Sequence, residues 1–354
     1  MIIYWSACIS SLLLAYLGTH TRGYLNQKKF SVFLTATISS LPLLLLAAFR
    51  YGIGTDYNEY VAIYNVWIPR FGRNTIEPIF YYLNKAIYFL AGDRYQWLFI
   101  ITSIIYFIFT FSAIYKMSPS PCYSIFLLFS MTYYLSFFNT TREHVGCAIL
   151  LFSIVFLEKR NYKMFFALVV LASGFHYTCA IFALSYLFTK IKLSPKRVIL
   201  WSAAFVLSQG VILLLVRRFF SSSIRYSKYL YGSAGFNINN VLGVALQLFL
   251  LVVVLYFYKY FQNDKKYNIY LGLQMLSLWI NILAMSMTAL ARIKWVYSFP
   301  SIILVPYLLS GIENKRTKRI ISILICVIYI AYITIVVGVF HSFGVIPYKS
   351  IFSY

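Results

Sequence analysis

Charge is what this chain has least of. Only 11% of its 354 residues are charged, and 8 acidic residues stand against 31 lysines and arginines. No hydrophilic stretch is long enough to fold as a soluble domain. The five cysteines, Cys8, Cys122, Cys147, Cys179 and Cys326, are odd in number and form no CxxC pair, and the four histidines have no metal-ligand spacing. That removes a disulfide framework and a zinc site. GxSxG, HExxH, a P-loop and a DxD element are all missing. Without DxD, a nucleotide-sugar donor held through a metal is not expected. No inverted repeat marks a transporter. The site is therefore expected to hold no metal and no cofactor.

What is abundant is hydrocarbon. The chain is 61% hydrophobic with mean hydropathy +0.77, the composition of an all-α polytopic membrane protein. A span needs about 20 apolar residues. Segments that qualify, or nearly so, are 2–18, 30–49, 97–115, 122–138, 145–157, 198–216, 241–258, 269–290, 295–310 and 320–340. The stretch 162–188 is too long for one ordinary span and is interrupted by SGFHYT at 173–178. Read as two helices joined at His176, it brings the total to 11–12 transmembrane helices. Residues 1–354 then form a single integral membrane domain. Its loops lie at 50–95, with a short amphipathic helix after Glu77, and at 217–240. The apolar N-terminus has no basic leader and reads as a retained first span.

The net charge of +23 does not point to nucleic acid, because the cations sit in short clusters between apolar runs. With two helices across 162–188, eleven downstream cations fall on the cytoplasmic side and seven outside, as the positive-inside rule expects. The outer set is mostly arginine and the inner set mostly lysine. Arginine's planar fork suits bidentate phosphate binding, whereas lysine serves as a topology signal. An anionic ligand at the outer surface is the expectation.

Five places can carry chemistry. The first is FRYGIGTDYNEY at 49–60, where polar residues follow an apolar run. Arg50 can hold a phosphate or brace the loop through Asp56. Asp56 or Glu59 can accept a proton. Gly52 and Gly54 free the backbone for tight turns, and Thr55 and Tyr57 complete the loop. The second is NTTREHVG at 139–146. A helix starting near Thr141 is capped by Asn139, Thr140 or Thr141, but Arg142 there opposes the helix dipole unless an anion sits nearby. The third is His176, a general base or an interfacial histidine bonded to a carbonyl. The fourth is Arg292, a phosphate ligand or a snorkelling cation. The fifth is Glu77, whose carboxylate suits a helix start.

With these residues in view, the chain resembles the EpsG family, close to the Wzy-type O-antigen and capsule polymerases. The family's R-x-G-x-G-T-D-Y signal is met by Arg50, Gly52, Gly54, Thr55, Asp56 and Tyr57. Its N-x-x-R-Q element is met by Asn139 and Arg142, with Glu143 in place of Gln. Its F-H-x-T element is met by Phe175, His176 and Thr178, and its late arginine by Arg292 with Tyr297. The likeness runs over about residues 1–310. It implies a multi-pass enzyme of the bacterial inner membrane with a GT-C-like architecture. That enzyme joins undecaprenyl-pyrophosphate-linked repeat units at the periplasmic face. Arg142, Arg292 and Arg50 would hold pyrophosphate, and Asp56 or His176 would take the acceptor proton. Lipids and a chain-length regulator are the partners it implies. A flippase of lipid-linked oligosaccharide and an O-antigen ligase are the competing functions.

Overall fold

The computed structural model describes residues 1–20, 29–73, 76–220, 238–286, 290 and 292–353. Residues 221–237, most of the loop expected at 217–240, lie outside that set. Every regular element among the described residues is helical, and one isolated bridge joins Arg50 to Ser350. A helix satisfies its own backbone groups, which is what a chain this apolar requires in lipid.

Among the described residues, six helices are long and apolar enough to cross a membrane: Ile2–Thr19, Ser31–Ala48, Gln96–Met117, Pro195–Val216, Lys265–Ser286 and Lys315–Val339. Shorter apolar helices cover Pro121–Ser130, Tyr162–Phe175, Tyr177–Thr189 and Asn240–Tyr256. The chain is thus an all-α, multi-pass membrane protein.

Two of the expected spans are broken. The segment 122–138 becomes Pro121–Ser130 and a short helix Tyr133–Ser136, divided at Thr132, whose φ of 67° is left-handed. That conformation is costly for a β-branched residue, and hydropathy does not register it. The segment 295–310 becomes Lys294–Ser298 and Ser301–Ser310, with Pro300, which has no N–H to donate, between them. The interruption expected at His176 is present: the α-helix Tyr162–Phe175 stops there and a 3₁₀ helix Tyr177–Thr189 follows.

The chain forms two compact units. One comprises Met1–Phe156, Lys163–Ala180 and Ile302–Tyr354; the other comprises Leu157–Tyr162 and Ile181–Ser301. In the first, small residues let helices approach closely. The Ser11 hydroxyl donates to the Ser39 carbonyl, and the Ser39 hydroxyl meets Tyr115 Oη at 2.9 Å, tying together Ile2–His20, Lys29–Ala48 and Gln96–Met117. In the second, Lys265–Ser286 is the most enclosed helix. A polar seam joins it to its neighbours: Gln247 Oε1 accepts from Gln274 and Ser277, each at 2.9 Å, and Ser277 bonds Ser298 at 2.7 Å. Such buried polar contacts hold helices together where lipid supplies no hydrophobic drive.

Candidate functional site

The polar turn after Lys29–Ala48 is fixed from two sides. Gly52 and Gly54 have φ of 61° and 100°, in the region that favours glycine. At Gly54 a Cβ would also lie 2.5 Å from the Phe138 carbonyl oxygen. That close approach lets the Thr55 N–H donate to Asn139 Oδ1 at 3.0 Å. On the other side the chain's C-terminal segment runs along the turn. Gly54 N–H donates to the Gly344 carbonyl, Tyr51 N–H to Lys349 and Ile351 N–H to Phe49, at 3.0–3.1 Å. Tyr4 Oη anchors the same segment through the Val345 carbonyl at 2.7 Å.

Arg50 does not pair with Asp56. The salt bridges among the described residues are Arg142–Glu77 and Lys266–Glu158. Arg50 is instead fully buried. Its guanidinium carbon lies 4.6 Å from the Phe99 ring centre, 4.8 Å from Phe138 and 5.3 Å from Phe137. Nη2 donates to Thr141 Oγ1 at 2.8 Å, while Nε and Nη1 have no partner. Burial lowers its pKa to about 10, so it stays charged at neutral pH, held by aromatic faces. Arg50, expected as a phosphate ligand or a brace of the Asp56 loop, is thus enclosed, and the Thr141 that it holds donates in turn to the Phe137 carbonyl at 2.9 Å.

Thr141 opens the helix Thr141–Glu158, and Arg142 occupies its first turn. The anion that this placement demands is Glu77. Arg142 Nη1 donates to Glu77 Oε2 at 2.7 Å, with side-chain exposures of 11% and 3%. The pair is nearly shut off from solvent, but Arg142 keeps a small exposure that Arg50 lacks. Tyr60 completes the cradle: its hydroxyl accepts from the Arg142 N–H at 3.3 Å, and its ring lies 5.9 Å from the guanidinium, with Phe80 at 5.4 Å. Burial raises the Tyr60 pKa, so the hydroxyl stays protonated. Glu77 stands just before Pro78–Ala91 but caps nothing with its side chain. Its carboxylate serves Arg142 rather than the helix it precedes.

His176 packs into the same unit. It is 8% exposed, and its Nδ1 meets Thr178 Oγ1 at 2.6 Å, which explains the threonine two residues on. Small residues hold the turn close to two helices, Arg142's and Pro78–Ala91. A Cβ on Gly146 would collide with Cys179 Sγ at 2.4 Å, and one on Gly174 with Ile79 at 2.4 Å. Asp56 is half-buried and accepts from the Thr55 hydroxyl at 3.2 Å. Glu143 is buried. Arg292 belongs to the second unit, exposed in the turn before Lys294–Ser298; there Tyr297 is buried and donates to the Ile181 carbonyl. Arg50, Asp56, Glu77, Arg142 and His176 thus belong to one unit and Arg292 to the other.

Three contributors escaped sequence reasoning. Glu77 carries only a helix-start signal in the sequence, although Arg142's conflict with the dipole calls for an anion nearby. His144 has no motif of its own in the sequence. It is buried, with Nε2 at 2.7 Å from Ser136 Oγ and Nδ1 at 2.8 Å from Thr140 Oγ1. The C-terminal segment was not expected to touch the glycine turn at all. No three His, Cys, Asp or Glu side chains converge as a metal-binding group among the described residues.

The model of the EpsG family matches residues 33–350. The match starts later than the expected 1–310 and takes in the C-terminal segment that borders the glycine turn. No curated protein and no solved structure matches the chain.

Proposed function

The chain belongs to the EpsG family, a Wzy-like family of polysaccharide polymerases and hence a membrane protein of polysaccharide biosynthesis, and on that premise we propose that it joins repeat units carried on undecaprenyl pyrophosphate at the periplasmic face of the inner membrane. The observation that carries this is Arg142, held by Glu77 and Tyr60 at a helix N-terminus beside the glycine turn. In the reaction the bond between the donor's anomeric carbon and the pyrophosphate oxygen breaks. An acceptor hydroxyl oxygen takes that carbon. Charge then accumulates on the pyrophosphate, where an arginine fork and helix amides are most useful. Glu77 keeps the fork oriented before substrate arrives.

The acceptor proton goes to a base. Asp56 is favoured, because it is more accessible than His176 and stands in the turn itself. A well-placed base supplies about 10²–10⁴ in rate. Asp56→Asn should therefore give a folded, nearly inactive protein, and normal polymer from that variant would move the role to His176. The role of Arg292 as a second phosphate ligand rests on the resemblance.

The first test is a deletion strain, with its surface glycan resolved on a gel and complemented by wild type or Arg142→Ala. Loss of the polymer ladder with a single repeat unit retained supports a polymerase. Loss of the single unit as well points to a flippase or ligase and overturns the assignment.

A further inference from the structure

Beside the glycine turn, in the same unit, a cleft of about 570 Å³ opens. Its size falls in the range of small-molecule sites, about 300–1,000 Å³. Tyr51, Tyr95 and Trp97 line it, together with Asp93, Arg94 and Gln96. Tyr51 is 38% and Trp97 45% exposed, so both rings offer surface to an occupant. Asp93 and Arg94 are exposed and form no ion pair.

We propose that this cleft binds a sugar ring of the lipid-linked repeat unit. Aromatic faces carry negative potential and receive the C–H-rich face of a pyranose. The carboxylate and guanidinium beside them can pair with its hydroxyls. An aromatic belt at a membrane interface accounts for Tyr51 and Trp97 alone. It does not account for a concave site that sets two free charged side chains among the rings.

The cleft is also built, not incidental. Gln96 Nε2 donates to the backbone carbonyls of Ala48 and Arg50, fixing the floor to the start of the turn. Ile351, from the C-terminal segment, supplies a wall, held by its N–H bond to the Phe49 carbonyl. Ring contacts then run inward. Tyr51 and Tyr95 each meet Tyr57 edge-on at 6.3 and 6.4 Å; Tyr57 stacks on Phe99 at 4.7 Å, and Phe99 touches Tyr60 at 6.5 Å. Tyr60 is the ring against Arg142. A sugar in the cleft therefore lies a short row of rings away from the arginine assigned to pyrophosphate.

This inference rests on the polymerase reading, and its test separates the two. The full chain, purified in nanodiscs, is titrated with the repeat-unit oligosaccharide released from the strain's own polymer, and binding is read by saturation-transfer NMR. Wild type should bind. Trp97→Ala should bind at least about tenfold more weakly, the scale of losing one aromatic anchor, and should shorten the ladder in cells. Arg142→Ala should keep oligosaccharide binding while losing the ladder. Trp67→Ala, an equally exposed tryptophan outside the cleft, should change neither.

Equal loss in Trp67→Ala and Trp97→Ala would show membrane anchoring only and overturn the cleft. So would unchanged binding in Trp97→Ala, or no binding by wild type. Each of those results leaves the polymerase assignment to the ladder of the deletion strain. Should Trp97→Ala fail to fold, Asp93→Asn makes the same comparison with the ring in place, and wild-type affinity from it would count against the cleft.

Discussion

Arg50 and Arg142 belong to the same unit, and both contact the start of the Thr141–Glu158 helix, yet their surroundings are opposite. Arg50 has no carboxylate, three aromatic rings and one hydroxyl, and is closed to solvent. Arg142 has a carboxylate, a phenol and a residual opening. A guanidinium among ring faces has nothing to exchange. One held by a carboxylate can trade or share that partner with a phosphate oxygen. The arginine of the signature turn is thus enclosed by rings, while that of the later, less specific motif pairs with a carboxylate.

The largest effect should come from the Arg142 side. Arg142→Ala strands Glu77 with 3% exposure, and breaking a buried pair from one side costs about 3–5 kcal/mol. Thermal unfolding in detergent should show it. Arg142→Ala combined with Glu77→Gln should recover much of the stability and none of the polymer, which separates positioning from chemistry. Recovery of the ladder in the double variant would remove Arg142 from the reaction.

Next comes the glycine turn. Gly54→Ala meets both a φ of 100° and the Phe138 carbonyl. It should cost more than about 1 kcal/mol, since alanine at positive φ is strained, and the ladder should shorten. Gly52 has a positive φ but no atom within 4 Å of an added Cβ, so Gly52→Ala should be milder. Equal losses would mean that conformation alone matters there, not the approach to Phe138.

Arg50→Met is the sharpest contrast. It removes a buried charge with two unmet donors and keeps the side chain's length. Stability should stay within about 1 kcal/mol, as when buried ionic groups give way to apolar ones of similar volume. Some polymer should remain, whereas Arg142→Met should leave none. A ladder lost in Arg50→Met with stability intact would give Arg50 a direct role.

The smallest effect belongs to the second unit's pair, Lys266–Glu158, at 3.4 Å with exposures of 24% and 18%. Lys266→Ala should cost no more than about 1 kcal/mol, as partly exposed pairs do. A larger loss would make that pair comparable to Arg142–Glu77.

Much of the fold was legible because lipid imposes a length and an apolar composition on every span. The helices Gln96–Met117 and Lys265–Ser286 begin within a few residues of where hydropathy puts them. The break at Thr132 was not legible, since a left-handed residue leaves no trace in hydropathy. The interruption at His176 was, because a polar residue divides an overlong apolar run.

The sequence by itself determined the membrane class, the glycine turn and the need for an anion near Arg142, because each follows from composition or local backbone physics. Only the tertiary structure decided that Glu77 is that anion, that Arg50 is enclosed by Phe99, Phe137 and Phe138, and that residues 344–351 close over the turn. Those pairings join residues 49 to about 300 positions apart. No local periodicity encodes them, and it is the packing of helices that brings such partners within hydrogen-bond reach.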